Sequence, residues 1–298
     1  GQEPVDPNQL ARWAQGKERY ALFQPGKATR LSLAGAQDKI PVILEGGQLY
    51  LPRGTAASSH LIKFSLKPAL VFNELYMNRL ARIAGLVVPD SHAGQAGKAH
   101  YLAVTRYDRE RVDNQIERVH QEDMCQALGY PRRLKYQEEG GPTLADLLRA
   151  VTAMPALQVR QLLRWQIFNV LAGNSDGHAK NISLLQDAKG RWSLAPAYDL
   201  VCTMVLPYSP SLGFAVGGNF HPQQLRRADW EELARHMGLA PPFVLRELRQ
   251  MLDLIEPAAN SAELQAELQT AGMDEVGWAK VQHVRKYVVQ QCRRYRKL

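Results

Sequence analysis

The sequence predicts an α+β fold in two lobes, and three observations carry that prediction. Short strand-like runs dominate up to about residue 107, with one helical pattern among them. Helical periodicity dominates from 108 to 298. A single hairpin-like stretch interrupts that helical part. A strand-rich N-lobe over 1–107 and a mostly helical C-lobe over 108–298 would leave a cleft between them, a natural place for a site.

Residues 1–30 are polar, with Pro4, Pro7 and Pro25 and a short helical stretch at "NQLARWAQ", and read as a lead-in segment. In "LSLAGAQDKIPVILEGGQLYLPRG", apolar residues surround Gly46-Gly47, the signature of a β-hairpin. "SHLIKFS" is a further short strand with Lys63 in its middle. "ALVFNELYMNRLARIAGL" spaces its apolar residues as a helix does and stops at Gly85. "AHYLAVTRYDR" is a strand running into charge. Three helices are then expected in "HQEDMCQALG", "TLADLLRAVTAM" and "ALQVRQLLRWQIFNVLAG", the last apolar enough to be central. "NISLLQ", the turn "DAKG" and "RWSLAPAYDL" form the hairpin, whose second strand should deliver Asp199. Residues 226–298 read as helices broken at Pro241-Pro242 and Gly272.

Bulk properties narrow the function. With 298 residues, 45% hydrophobic and 22% charged, the chain is long enough for one large domain or two small ones around a real core. No apolar run of about 18 residues marks a membrane span, and the start shows no basic-then-apolar signal segment. The chain opens on Gly1 instead of Met, which points to a piece of a longer protein. Cys125, Cys202 and Cys292 are odd in number and widely spaced, which argues against a disulfide framework or zinc site and suits a reducing cytoplasm. A net charge of +8 permits an anionic partner, nucleotide or nucleic acid.

"NSDGHAKN", residues 174–181, packs Asp176, His178, Lys180 and Asn181 into six positions after the long apolar helix. A polar turn closing a helix would explain it; so would a catalytic loop. Phosphoryl transfer needs a loop over the phosphates, a strand lysine, a helix acid to hold that lysine, and a catalytic Asp followed by a metal-binding Asn. A second, metal-binding Asp completes the set. The chain offers candidates in that order. Residues 32–39, "SLAGAQDK", would cover the phosphates, though Gly35 stands alone between Ala34 and Ala36. Lys63 is followed by Glu74 eleven residues later on the next helix. Asp176 and Asn181 stand five apart, as base and metal-binding Asn do in a kinase catalytic loop, although His178 follows the Asp instead of preceding it. Asp176 would accept the proton of the attacking hydroxyl and Asn181 would hold magnesium, while His178 and Lys180 could reach phosphates. Asp199 in "APAYDL" would be the second metal ligand, followed by Leu200-Val201 where a kinase has Phe-Gly. Taken singly, each residue also fits a solvated strand, helix or turn position. Their order favours a bilobal protein-kinase-like fold.

These stretches resemble the HipA family, serine/threonine kinase toxins of bacterial toxin–antitoxin modules. "SLAGAQDK", "HLIKF", "NELY", "VTRYDR", "HQEDMCQALG", "KYQEEGGP", "NSDGHAKN" and "PAYDL" follow that family's blocks in order over about 31–203. The resemblance implies ATP and Mg2+, with Ala34, Gly35, Ala36 and Gln37 in the phosphate loop and Lys63 on the phosphates. Asp176 is then catalytic, Asn181 and Asp199 hold the metal, and Thr105, Arg106 and Tyr107 form the hinge that meets adenine. It also implies self-phosphorylation at Ser32, where about −1.5 to −2 added charges would repel nucleotide. The implied partners are a protein substrate, for some relatives an aminoacyl-tRNA synthetase, and a DNA-binding antitoxin. Family members carry a further N-terminal subdomain before the loop; only 31 residues precede Ser32 here, so that part is either trimmed or supplied as a separate chain.

Two other readings stay open. A small-molecule kinase of related fold would also place Asp and Asn five apart. A non-catalytic regulator in a DNA and antitoxin complex would use the acid-free tail "WAKVQHVRKYVVQQCRRYRKL", with Lys280, Arg285, Lys286, Arg293, Arg294, Arg296 and Lys297. There Val281, Val284, Val288 and Tyr295 form one apolar stripe, so the helix should pack on the body with its basic face outward, available for auxiliary DNA contact.

Overall fold

A computed structural model describes residues 1–14, 39–65, 67–113, 115–151 and 156–298. Ser32, Ala34, Gly35, Ala36 and Gln37 lie outside the described residues.

The chain begins with β1 (Gln2–Pro4) and α1 (Pro7–Ala14), then β2 (Lys39–Glu45), β3 (Gln48–Pro52), β4 (His60–Ser65), α2 (Pro68–Ile83), β5 (Ser91–Ala96) and β6 (Ala99–Thr105). The six strands form one antiparallel sheet in the order β1-β3-β2-β4-β6-β5. The hairpin expected at Gly46-Gly47 is present, both glycines holding positive φ (55° and 81°) as its two-residue turn requires. Alternation decides the faces. Ile62 and Phe64 turn to a small core with Leu10 and Trp13 of α1, while Lys63 between them turns to the opposite side. There Val71, Phe72 and Leu75 of α2 join Leu102 and Val104 of β6 in the main core. Residues 2–14 are therefore more than a lead-in: β1 extends the sheet and Trp13, 1% exposed, closes its outer core.

A small hairpin of β7 (Arg109–Val112) and β8 (Gln115–Arg118) follows. Next come β9 (His120–Asp123), α3 (Met124–Ala127), α4 (Leu144–Val151), α5 (Ala156–Ala172), β10 (Ser183–Gln186) and β11 (Trp192–Leu194). "HQEDMCQALG" thus departs from the helix expected of it. Its first four residues pair with β10, and Asp123 caps the single turn α3 by accepting from the Gln126 N–H at 3.0 Å. α5 is central as expected, with Leu162 to Ala172 all buried. Its buried Arg164 is paired with Glu247 at 2.6 Å.

The remaining helices are α6 (Arg227–His236), α7 (Pro241–Ala258), α8 (Ala262–Thr270), α9 (Glu275–Lys280) and α10 (Gln282–Tyr295). Pro241 and Pro242 start α7, where the missing N–H of proline is harmless. The apolar stripe of α10 is buried as expected, from Val281 through Val288 to Tyr295, whose hydroxyl donates to the Pro222 carbonyl at 2.6 Å. Among the described residues, no helix is long and apolar enough to cross a membrane.

Candidate active site

Four separate segments converge on one charge cluster. Lys63 and Lys39 lie directly opposite each other in the β2/β4 register and so share a face. Facing ammoniums repel unless an anion lies between them. Two carboxylates answer that repulsion. Glu74, about two turns into α2, meets Lys63 Nζ at 2.5 Å, and both side chains are 5% exposed. Asp199 accepts from Lys63 through Oδ1 and lies 3.3 Å from Lys39 Nζ through Oδ2. Burial on its own would lower the Lys63 pKa, but Asp199 and Glu74 override it and hold the ammonium charged. Burial likewise opposes ionisation of Asp199, yet Lys63 and Lys39 pull its carboxyl well below the usual range. Burial raises Glu74, with Lys63 opposing.

Asp199 is not carried by the strand. β11 ends at Leu194, and Pro196, lacking an N–H, stops the ladder. The Ala195 N–H still donates to the Ser183 carbonyl of β10, but past the proline the Ala197 N–H donates to the Val87 carbonyl. Asp199 then adopts a left-handed φ of 54°, a conformation that costs a non-glycine residue about 1 kcal/mol or more and turns its carboxylate toward the lysines. Tyr198 pins this turn: its hydroxyl donates to the Lys180 carbonyl at 2.8 Å, sits 2.7 Å from Ser183 Oγ, and its ring stacks on Tyr107 at 5.4 Å.

The loop at 173–181 is held from both sides. The Gly173 carbonyl accepts from the Thr203 and Met204 N–H groups, and the Ser175 N–H donates to Thr203 Oγ1 at 2.8 Å. Gly213 packs so tightly that a Cβ there would stand 2.1 Å from the Gly177 carbonyl oxygen. Within this frame Asp176 is 52% exposed, accepts a hydrogen bond from the Tyr136 hydroxyl, and lies 4.0 Å from His178 Nε2. Burial, and then the Lys135 ammonium, lower the His178 pKa to about 4, so its imidazole is neutral at pH 7 and meets the Tyr136 ring edge-on at 5.0 Å. Lys180 is turned to Asp123 at 2.5 Å, the N-cap of α3, an arrangement the sequence does not announce. Asn181 is buried on a one-turn 3-10 helix, and its side-chain amide makes no hydrogen bond among the described residues. At the expected hinge, the Thr105 and Arg106 N–H groups donate to the Asp90 and Ser59 carbonyls. The Arg106 guanidinium forks onto Asp108, and the Tyr107 ring stacks on Tyr198.

The structure thus brings together Lys63, Glu74 and Asp199, and separately Asp176 with His178. Lys39, Tyr136, Asp123 and Tyr198 were not singled out from the sequence. All four lie in the motif blocks quoted above, and Lys39 carried a further signal: it ends the block "SLAGAQDK" and begins a strand. Carboxylate and amide oxygens, as on Asp199 and Asn181, are the hard donors that magnesium accepts, so the residues fit such an ion with phosphate and water oxygens completing its shell.

Comparison with known proteins bears on the family and the fold. The family model described as the HipA-like C-terminal domain matches residues 31–262. Y4mE of Sinorhizobium fredii, which carries the name of a kinase, is 38% identical over 257 residues, covering 84% of this chain and 61% of that protein. The serine/threonine-protein kinase toxin HipA of Shewanella oneidensis is 29% identical over 282 residues, covering 89% and 64%. This chain spans a little under two thirds of the length of these curated relatives. The solved Shewanella oneidensis assembly of HipA, HipB and operator DNA superposes over all of this chain and 72% of that one, with a TM-score of 0.85 and 25% identity. The bilobal, protein-kinase-like α+β fold expected from the sequence is the fold observed, and the chain belongs to the family of HipA-like C-terminal domains.

Proposed function

We propose that this chain is an ATP-dependent serine/threonine protein kinase of the HipA toxin type, with lobes meeting near residues 107–108. The observation that carries the reading is the meeting of Lys63, Glu74 and Asp199 from strand, helix and irregular turn. Two facing ammoniums would form a phosphate-binding surface, with Asp199 free to hold a metal in place of the lysines. A magnesium ion on Asp199 and Asn181 would offset charge on the phosphates. Lys63 and Lys39 would hold the phosphate oxygens, and Glu74 would keep Lys63 in place. Asp176, half in solvent, would take the proton of a serine or threonine hydroxyl arriving from outside. Neutral His178 would pack against the loop, while Lys180 would brace it through Asp123; neither would carry charge to the phosphates.

Ser32 would be a self-phosphorylation site whose charge drives nucleotide out. The name of the Shewanella relative supports a serine/threonine protein target, and the solved assembly of HipA, HipB and operator DNA supports an antitoxin partner on DNA; a cytoplasmic target such as an aminoacyl-tRNA synthetase is what the family resemblance adds. Auxiliary DNA contact through the basic C-terminal segment would fall chiefly to Lys280 at the end of α9, Lys286 on α10 and Lys297 just beyond it. Arg293 and Arg296 lie against Glu256 and Asp253, and Arg285 stacks on Trp278 at 4.0 Å.

The test is incubation with γ-labelled ATP and magnesium, alone and with a bacterial lysate, followed by mass spectrometry. Label on Ser32 or on a lysate serine or threonine, lowered at least about a hundredfold with Asp176→Asn, is the expected result. Failure of verified unphosphorylated protein to bind ATP would overturn the reading.

A further inference from the structure

Asp176 presents a problem that the kinase reading leaves open. A base must hold its carboxylate in one orientation, yet this side chain is half exposed and, among the described residues, has no cation within ion-pair reach, its neighbour His178 being neutral. What touches it is a neutral phenol. Tyr136 donates to Oδ1, the same oxygen that faces His178, and its ring closes edge-on against that imidazole. Burial and then the Asp176 hydrogen bond push the Tyr136 phenol up, so it keeps its proton and stays a donor at any working pH.

The backbone carrying Tyr136 is fixed. The Lys135 carbonyl accepts from the Ala179 N–H at 3.1 Å, tying this segment to the loop itself. The Tyr136 carbonyl accepts from the Glu139 and Gly141 N–H groups, and a Cβ on Gly141 would stand 2.6 Å from that oxygen. The Gln137 N–H donates to the Gly213 carbonyl at 3.2 Å, and Gln137 Oε1 accepts from the Ala215 N–H at 3.0 Å. Ser211 bonds Glu138 at 2.8 Å. A hydroxyl held this firmly is unsuited to swinging aside as a gate or reaching out as an acceptor. It suits holding one oxygen still.

We infer that Tyr136 is the positioning residue of the catalytic carboxylate: its hydroxyl locks Asp176 Oδ1 so that Oδ2 faces the incoming hydroxyl. An ionised carboxylate accepts at several lone-pair sites, so Tyr136 and the acceptor can bind it together. This rests on Asp176 being the base.

Steady-state label transfer from γ-labelled ATP to lysate protein tests it with Tyr136→Phe, which keeps the ring and its packing on His178. The expected result is a kcat lowered about tenfold or more, the value of one hydrogen bond to a charged group, with KM for ATP and thermal midpoint unchanged. The same change made in Asp176→Asn should lower the residual rate no further, because a residue acting through Asp176 has nothing left to orient. A Tyr136→Phe enzyme as fast as the parent, or an equal loss in both backgrounds, overturns the positioning role while the kinase reading stands. Absence of transfer by the unsubstituted protein removes the kinase reading and this inference with it.

Discussion

The two aspartates of the site live in opposite settings. Asp199 is 29% exposed, sits on a left-handed backbone, and is gripped by two ammoniums. Asp176 is 52% exposed, sits on a loop braced by backbone bonds, and is touched by a neutral hydroxyl. One half of the site is organised around fixed countercharge before any ligand arrives; the other is organised by geometry and left open. That division suits a reaction with one constant substrate, ATP, and an acceptor that must enter from outside.

The largest effect should separate the aspartates by what survives. Asp176→Asn should lower transfer about a hundred- to ten-thousandfold, the range of a lost base, while ATP and magnesium still bind. Asp199→Asn should abolish transfer and weaken magnesium-dependent ATP binding as well. Isothermal titration alongside label transfer distinguishes them, and equal binding losses in both would erase the contrast.

Next in size is stability. Lys63→Met removes the cation from a carboxylate that is 5% exposed, and leaving a buried charge unpaired costs about 3–5 kcal/mol. Urea unfolding should register that loss for Lys63→Met and a much smaller one for Asp176→Asn, whose carboxylate faces water.

The smallest effect is a pH dependence. His178 has a folded pKa of about 4, below the unfolded value of 6.5, so the unfolded chain binds the extra proton first. Its contribution is therefore fully present above pH 6.5 and is lost as pH falls from there toward 4, reaching about 3 kcal/mol when complete. Denaturation midpoints between pH 7 and 4.5 should fall for the parent and fall less for His178→Gln; parallel curves would remove His178 as the cause.

Much of this was legible because local rules govern it. The period-two run "HLIKF" places Lys63 on the opposite face to Ile62 and Phe64, and helical spacing in "FNELY" puts Glu74 on the following helix. The five-residue gap from Asp176 to Asn181 is a property of one loop. "HQED" misled because its neighbours Met124, Cys125 and Ala127 are compatible with helix, and only the distant strand β10 offers a ladder to pair with. The hairpin was correctly placed, but one residue, Pro196, decided that Asp199 would be delivered by a turn.

By itself, then, the sequence determined which residues are apolar in which rhythm, hence the hairpin, the central helix α5, the buried stripe of α10 and the chain order of the candidate site. Only the tertiary structure decided who meets whom: Lys39 with Asp199, Tyr136 with Asp176, Lys180 with Asp123. Periodicity is read within a few residues, whereas a charge or hydroxyl finds its partner only after the whole chain has brought distant segments into reach, where burial makes the choice of partner matter.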